Sequence, residues 1–209
     1  MARIFVPGCG TVPDLYRPAL GEAWTIHEPP RFASRAGFDA HVESLLDRIR
    51  RQASPVTVAG HSLGAAVAIV AATQQPDAFE RLILIAPAGL PLAKPIGASL
   101  LDFAGQVRDR LYPARPVLRG VLGIARAPRA ALRLARAVHG LDLRPQLAAL
   151  AETGLACEVV GCAGDTLTPP EHCRRLATFA NAEYREVRAR GGHMWLVVEP
   201  LRFAALASR

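Results

Sequence analysis

Three short stretches of this chain carry residue types that acyl chemistry needs. The first is Gly60-His61-Ser62-Leu63-Gly64, which follows the apolar run Val56–Ala59 and leads into an alanine-rich stretch from Leu63 onward. A serine hydroxyl is a weak nucleophile until a base takes its proton, and the base in turn needs an acid to orient it. A sharp turn from strand to helix holds such a serine in a strained conformation with its Oγ clear of the sheet, and Gly60 and Gly64 leave room for strand and helix to pass. The helix start also directs free N–H groups and the positive end of its dipole at a developing oxyanion. The second stretch, Cys157–Gly161, reads as a strand that ends in the loop Cys162-Ala-Gly-Asp165-Thr-Leu-Thr-Pro-Pro170. The third is a strand over Glu183–Arg188 followed by Gly191-Gly192-His193. A serine, an acid and a histidine thus follow one another along the chain, each at the carboxyl end of a predicted strand.

These residues need a scaffold that brings strand ends to one edge. Strands are predicted at Arg3–Val6, Ala23–His27, Val56–Ala59, Leu82–Ala86, Cys157–Gly161 and Glu183–Arg188. The apolar ones are continuous rather than alternating, as in parallel strands covered on both faces. Helices are predicted at Phe38–Arg51, Leu63–Gln74, Pro170–Asn181 and near Trp195–Ala207, with Asp39, His41 and Pro169-Pro170 as start signals. The alternation implies right-handed crossovers and an α/β doubly wound, mostly parallel sheet, with the ligand site beyond the carboxyl ends of the strands. From Ala88 to Gly140 no strand is evident, and Gly and Pro interrupt short Leu- and Ala-rich pieces. So long an insertion between two strands is read as a helical cap or lid. The division that follows is a core of residues 1–87 and 141–209 and a cap of residues 88–140. Within the cap, Pro128–His139 reads as a helix with Arg129, Arg133 and Arg136 on one face and Leu132 on the next.

With Gly-His-Ser-Leu-Gly at 60–64, Gly-Cys-Ala-Gly-Asp-Thr-Leu-Thr-Pro at 161–169 and Gly-Gly-His at 191–193, the chain resembles the α/β-hydrolase family over nearly its whole length. The resemblance implies Ser62 as nucleophile, His193 as general base and then acid, and Asp165 as the group that fixes the imidazole tautomer. Asp102 and Asp142, which compete for that last role, fall in or near the cap and away from a strand end. Of the other histidines, His27, His41, His139 and His172 lie in no motif, and the His61 side chain is expected to point away from the nucleophile. The family's oxyanion hole uses the N–H of the residue after the nucleophile, here Leu63, and one from the loop after the early strand. In Val6-Pro7-Gly8-Cys9-Gly10 that donor is Cys9, with Pro7 where relatives commonly carry histidine. Relatives also open with two additional strands. The resemblance therefore implies a compact version of the fold, six strands in the order 2-1-3-4-5-6, with Ala23–His27 at an edge. That edge is a candidate homodimer contact, restrained by Pro29-Pro30.

The implied activity is hydrolysis of a small-molecule carboxylic ester or thioester, by a carboxylesterase-, lipase- or thioesterase-like enzyme, with no metal and no organic cofactor. Serine at the nucleophile position argues against the aspartate-dependent dehalogenase and epoxide hydrolase branches. A silent binding protein on the same fold and an acyltransferase with the same residues are the alternatives. The 209 residues suit one domain, and 51% hydrophobic with 21% charged residues is a globular balance. The formal charge of +7 resides in residues 108–144, where nine arginines face Asp109 and Asp142. That segment has Tyr112 as its one aromatic residue and no nucleic-acid motif, so nucleic acid is not an expected partner. Peripheral contact with anionic surfaces through the arginine-rich cap is a third reading, compatible with hydrolysis. Cys9, Cys157, Cys162 and Cys173 form no CxxC pair and no zinc spacing, which favours reduced, mostly buried thiols. With no export-signal pattern at its start, the chain is expected in the cytoplasm.

Overall fold

The structure is a computed structural model that describes residues 2–28, 30, 37–53, 55–95, 97, 98, 101, 102, 105 and 114–207. Six strands form one sheet in the order β2-β1-β3-β4-β5-β6. They are β1 (Arg3–Val6), β2 (Thr25–Ile26), β3 (Val56–His61), β4 (Phe79–Ile85), β5 (Ala156–Cys162) and β6 (Glu183–Val187), every neighbouring pair parallel. This is the order that the family resemblance implies. β2 keeps two residues of its predicted five, and it does form an edge; Pro29 at its end lies outside the described residues.

Because side chains alternate across a strand, each central strand feeds two cores. Ile4, Val6, Val58, Leu82, Leu84 and Val159 face one layer, built by α2 (Phe38–Arg50), α3 (Leu63–Gln74), α6 (Arg144–Glu152) and α7 (Pro170–Phe179). Phe5, Ala59, Ile83, Ile85, Val160 and Cys162 face the other, built by α1 (Arg17–Leu20), α8 (Trp195–Val198) and α9 (Pro200–Ala207). This explains the uninterrupted apolar reading of β3, β4 and β5. The middle helix of the first layer, α3, is buried on nearly all sides and is accordingly apolar around its circumference, with Ala65, Ala68 and Ala72 fully covered.

Between β4 and α6 lie α4 (Ala114–Arg126) and α5 (Pro128–His139). Both are amphipathic, and α5 sends Leu134 into the same buried cluster as α3 and α6. Backbone bonds secure the stretch: Leu92 N–H donates to His139 O at 3.2 Å and Leu143 N–H to Gly89 O at 2.7 Å. Of the nine arginines singled out above, Arg108 and Arg110 lie outside the described residues. Among the described residues no helix is long and apolar enough to cross a membrane. All four cysteines are free thiols, Cys162 and Cys173 buried and the other two half-buried.

Candidate active site

Ser62 stands between β3 and α3 with φ 53° and ψ −115°, a left-handed conformation that is costly for a residue with a side chain. Several bonds hold it there. Its N–H donates to Ile85 O at 3.0 Å, and its carbonyl accepts from Ala65, Ala66 and Ala88. The turn closes only because two flanking positions have no side chain. A Cβ on Gly64 would lie 2.1 Å from Val6 O, and one on Gly60 would lie 2.6 Å from the Ala65 backbone. The β1 strand end and the start of α3 are thereby pressed together, bringing the loop Pro7–Thr11 beside the serine.

Asp165 and His193 arrive from the two strands beyond β4. Asp165 is buried in the loop after β5, where its Oδ1 accepts the Leu167 N–H at 2.8 Å and the Thr168 N–H at 3.0 Å. Its Oδ2 accepts the Thr168 hydroxyl at 2.9 Å and lies 2.8 Å from His193 Nδ1. Burial pushes the Asp165 carboxyl up, but the His193 ring beside it and the two N–H donors outweigh burial and hold it below the usual carboxylate range. His193 sits in a short 3₁₀ turn, Gly192–Met194, entered through left-handed Gly191 at φ 89°. A Cβ at Gly191 would lie 2.5 Å from the Val198 side chain, so glycine is required for two reasons. With Nδ1 committed to Asp165, Nε2 is the nitrogen left for proton traffic. Among the described residues the Ser62 side chain makes no hydrogen bond; bonds of this kind commonly tighten only with substrate in place.

Ser62 and His193 line one cavity of about 320 Å³, together with Cys9, His61, Ala88 and one face of α5. Leu63 is buried at the first turn of α3 and Asp165 stands behind His193. No backbone hydrogen bond among the described residues occupies the N–H of Leu63 or of Cys9. The Cys9 thiol is pushed up to about 11 by burial, which keeps it protonated and poorly reactive. The competing acids are spent elsewhere: Asp102 pairs with Lys94 at 2.6 Å and Asp142 with Arg144 at 2.5 Å, both exposed. Among the described residues no group of three or more His, Cys, Asp or Glu side chains is placed to hold a metal ion.

One expectation is corrected. The His61 ring does not turn away from the site; it lines the same cavity as Ser62, with its centroid 4.9 Å from that of His193. Its Nε2–H donates to the His193 carbonyl at 3.0 Å, and its Nδ1 accepts the Tyr16 hydroxyl proton at 3.0 Å. The Tyr16 oxygen accepts the Gly8 N–H at 3.3 Å. Burial, and then the neighbouring His193 ring, lower the His61 pKa to about 3, so the ring is neutral and its tautomer fixed by these two partners. The loop after β1, the turn at Ser62 and the His193 backbone are therefore joined through two side chains, Tyr16 and His61. The sequence holds a hint of this, since His61 is inside the five-residue motif. Nothing local marks Tyr16, which reaches the site by packing against Phe5 at 4.8 Å between ring centroids.

A family model described as the alpha/beta hydrolase family matches residues 6–206. The chain belongs to this family. Membership supports hydrolase activity. Comparison with curated protein sequences gives no match. Among solved structures, a hydrolase from Oleispira antarctica superposes with a TM-score of 0.75 at 15% identity, over 99% of this chain and 89% of that one. An N-formylmaleamic acid deformylase from Pseudomonas putida gives 0.73 at 18% identity, over 100% and 92%. An enol-lactonase from Burkholderia xenovorans gives 0.69 at 18% identity, over 99% and 90%. At such identities the likeness speaks for the fold alone.

Proposed function

We propose that this alpha/beta hydrolase cleaves a carboxylic ester or thioester through an acyl-enzyme on Ser62. The observation that carries the reading is the strained Ser62 facing one cavity with a histidine whose other nitrogen lies 2.8 Å from a buried carboxylate. In the first step Ser62 Oγ attacks the carbonyl carbon while its proton passes to His193 Nε2. The carbonyl oxygen becomes an oxyanion, bonded by the unoccupied N–H groups of Leu63 and Cys9. The bond to the leaving oxygen or sulfur then breaks as His193 returns the proton to it, and the alcohol or thiol departs. Water, giving a proton to His193, next attacks the acyl carbon. The Ser62–acyl bond breaks, Ser62 recovers its proton and the carboxylic acid is released. Throughout, Asp165 accepts the His193 Nδ1–H and favours the imidazolium that forms twice per cycle. The stretch 88–140 serves as cap, since α5 forms the outer wall of the cavity.

The test is Ser62→Ala with p-nitrophenyl butyrate as substrate. We expect kcat to fall by about 10⁴-fold or more with an unchanged far-UV spectrum, and a fluorophosphonate probe to label the native protein at Ser62. Undiminished hydrolysis by the variant overturns the mechanism, and so does a native protein that is not labelled.

A further inference from the structure

We infer that the cavity beside Ser62 takes an apolar group without charged substituents, and that Ala131 and Ala135 on α5 set the length of that group. The kinetic side of this inference rests on the reading of Ser62 as nucleophile; the shape and chemistry of the cavity do not.

The first support is what the cavity walls offer. Away from Ser62 and His193 they are built by Ile124, Ala131, Leu132, Ala135, Val138 and Met194, and no Asp, Glu, Lys or Arg is among the described lining residues. Apart from the Cys9 thiol, a weak donor, the polar side chains that reach the wall spend their donor hydrogens within the protein. His61 is bonded at both nitrogens, Thr11 donates to Gly8 O at 2.7 Å, and Thr168 donates to Asp165. His139 gives its Nε2–H to Lys94 O. A carboxylate on the bound group would therefore lose its water and find no strong side-chain donor in exchange. Burying an unpaired charge costs far more than one methylene gains, so a site of this composition rejects a charged terminus more strongly than it distinguishes neighbouring chain lengths. The arginines of α5 do not alter this, because Arg129, Arg133 and Arg136 are exposed and absent from the lining.

The second support is size. A dry cavity of ~150 Å³ holds the six carbons of benzene, so the 320 Å³ present here accommodates a group of about ten non-hydrogen atoms. That is an acyl chain of medium length or an aryl-alkyl group. The room exists because α5 presents alanine at 131 and 135, one helical turn apart, where its neighbours Leu132 and Val138 are larger. A leucine at either alanine position adds three carbons directly into that space.

The experiment uses p-nitrophenyl acetate, butyrate, octanoate and dodecanoate, together with the p-nitrophenyl half-ester of suberic acid, whose eight-carbon acyl chain ends in a carboxylate. We expect kcat/KM to rise at least 10-fold from acetate to octanoate and to decline at dodecanoate, with the suberate half-ester at least 100-fold below octanoate. Ala135→Leu and Ala131→Leu should each lower the octanoate-to-acetate ratio of kcat/KM at least 10-fold. A half-ester as good as octanoate, a flat chain-length series, or an unchanged ratio in both variants overturns the inference. The Ser62→Ala protein separates the two readings, because it keeps the cavity and lacks the hydroxyl. Calorimetric binding of methyl octanoate to it, weakened at least 10-fold by adding Ala135→Leu, supports the cavity assignment even where no ester is turned over. Ester turnover by the native protein without such binding overturns the cavity assignment and leaves the mechanism standing.

Discussion

The turn around Ser62 and the α4–α5 wall border the same cavity, yet they are made in opposite ways. At the turn, position is fixed by backbone: Gly60 and Gly64 have no space for a methyl group, and Ser62 is tied by four backbone bonds. The wall instead carries several exposed apolar side chains: Leu118 is 58% accessible, Val121 52% and Leu122 43%. α5 is anchored through Leu134, which reaches the core below it. On the proposed reading, chemistry rests on backbone contacts that tolerate no substitution, and selectivity on α5 side chains at the cavity wall. One fold can keep the first and vary the second.

Three changes probe that contrast. Gly64→Ala should be the most damaging, since its Cβ would stand 2.1 Å from Val6 O and 2.6 Å from Pro7 O. A loss on the order of 4 kcal/mol, with activity gone even where folding survives, is expected in urea denaturation. An unchanged midpoint would show that the turn is looser than its geometry. Next comes acidification. Folded His61 takes a proton only near pH 3, whereas an unfolded histidine does so near 6.5. Between those values the unfolded chain binds more protons, so the stability present above pH 6.5 is lost as pH falls toward 3. His27, lowered to about 4 chiefly by burial, adds to the same trend. Urea midpoints at pH 7, 5.5 and 4 should descend, and His61→Asn should flatten the descent; equal slopes would contradict the buried neutral ring. The smallest effect belongs to the wall. Among the described residues a Cβ on Gly123 of α4 meets nothing within 4 Å, so Gly123→Ala should stabilise by about 0.5–1 kcal/mol. Destabilisation in the same denaturation assay would reveal a neighbour at that position.

What the sequence disclosed follows the same division. Helix α3 spans Leu63–Gln74 as its alanine-rich sequence predicts, and the continuous apolar runs of β1, β3, β4 and β5 mark strands covered on both faces. These are local signals that the core amplifies, whereas the strand order is what the family resemblance implies. Helix α6 (Arg144–Glu152) escapes such a reading: it is nine residues long, weakly amphipathic, and abuts the irregular stretch, although Pro145 near its start is a recognisable signal. The predicted C-terminal helix is two, because Pro200 cannot continue α8. Strand β4 starts three residues earlier than expected, since the 3₁₀ turn Pro76–Ala78 delivers Phe79 straight into the sheet. At the site, Ser62, Asp165 and His193 are legible because each motif sits at a strand end. The His61–Tyr16 link is not, because it depends on how Tyr16, just before α1, packs on the sheet face beside Phe5, a tertiary fact without a local pattern.

The wall is also joined to the loop that carries Cys9. Gly120 of α4 lies against Gly10 so closely that a Cβ there would be 2.7 Å from Gly10 O, and Arg119 pairs with Asp14 further along. Anyone wishing to exchange α4 and α5 on this scaffold inherits that seam. A donor segment with a larger residue at the Gly120 position would lever the Gly8–Gly10 backbone beside Ser62, whereas one that keeps the glycine would leave that loop in place. The two glycines are the joinery along which such a graft must be cut.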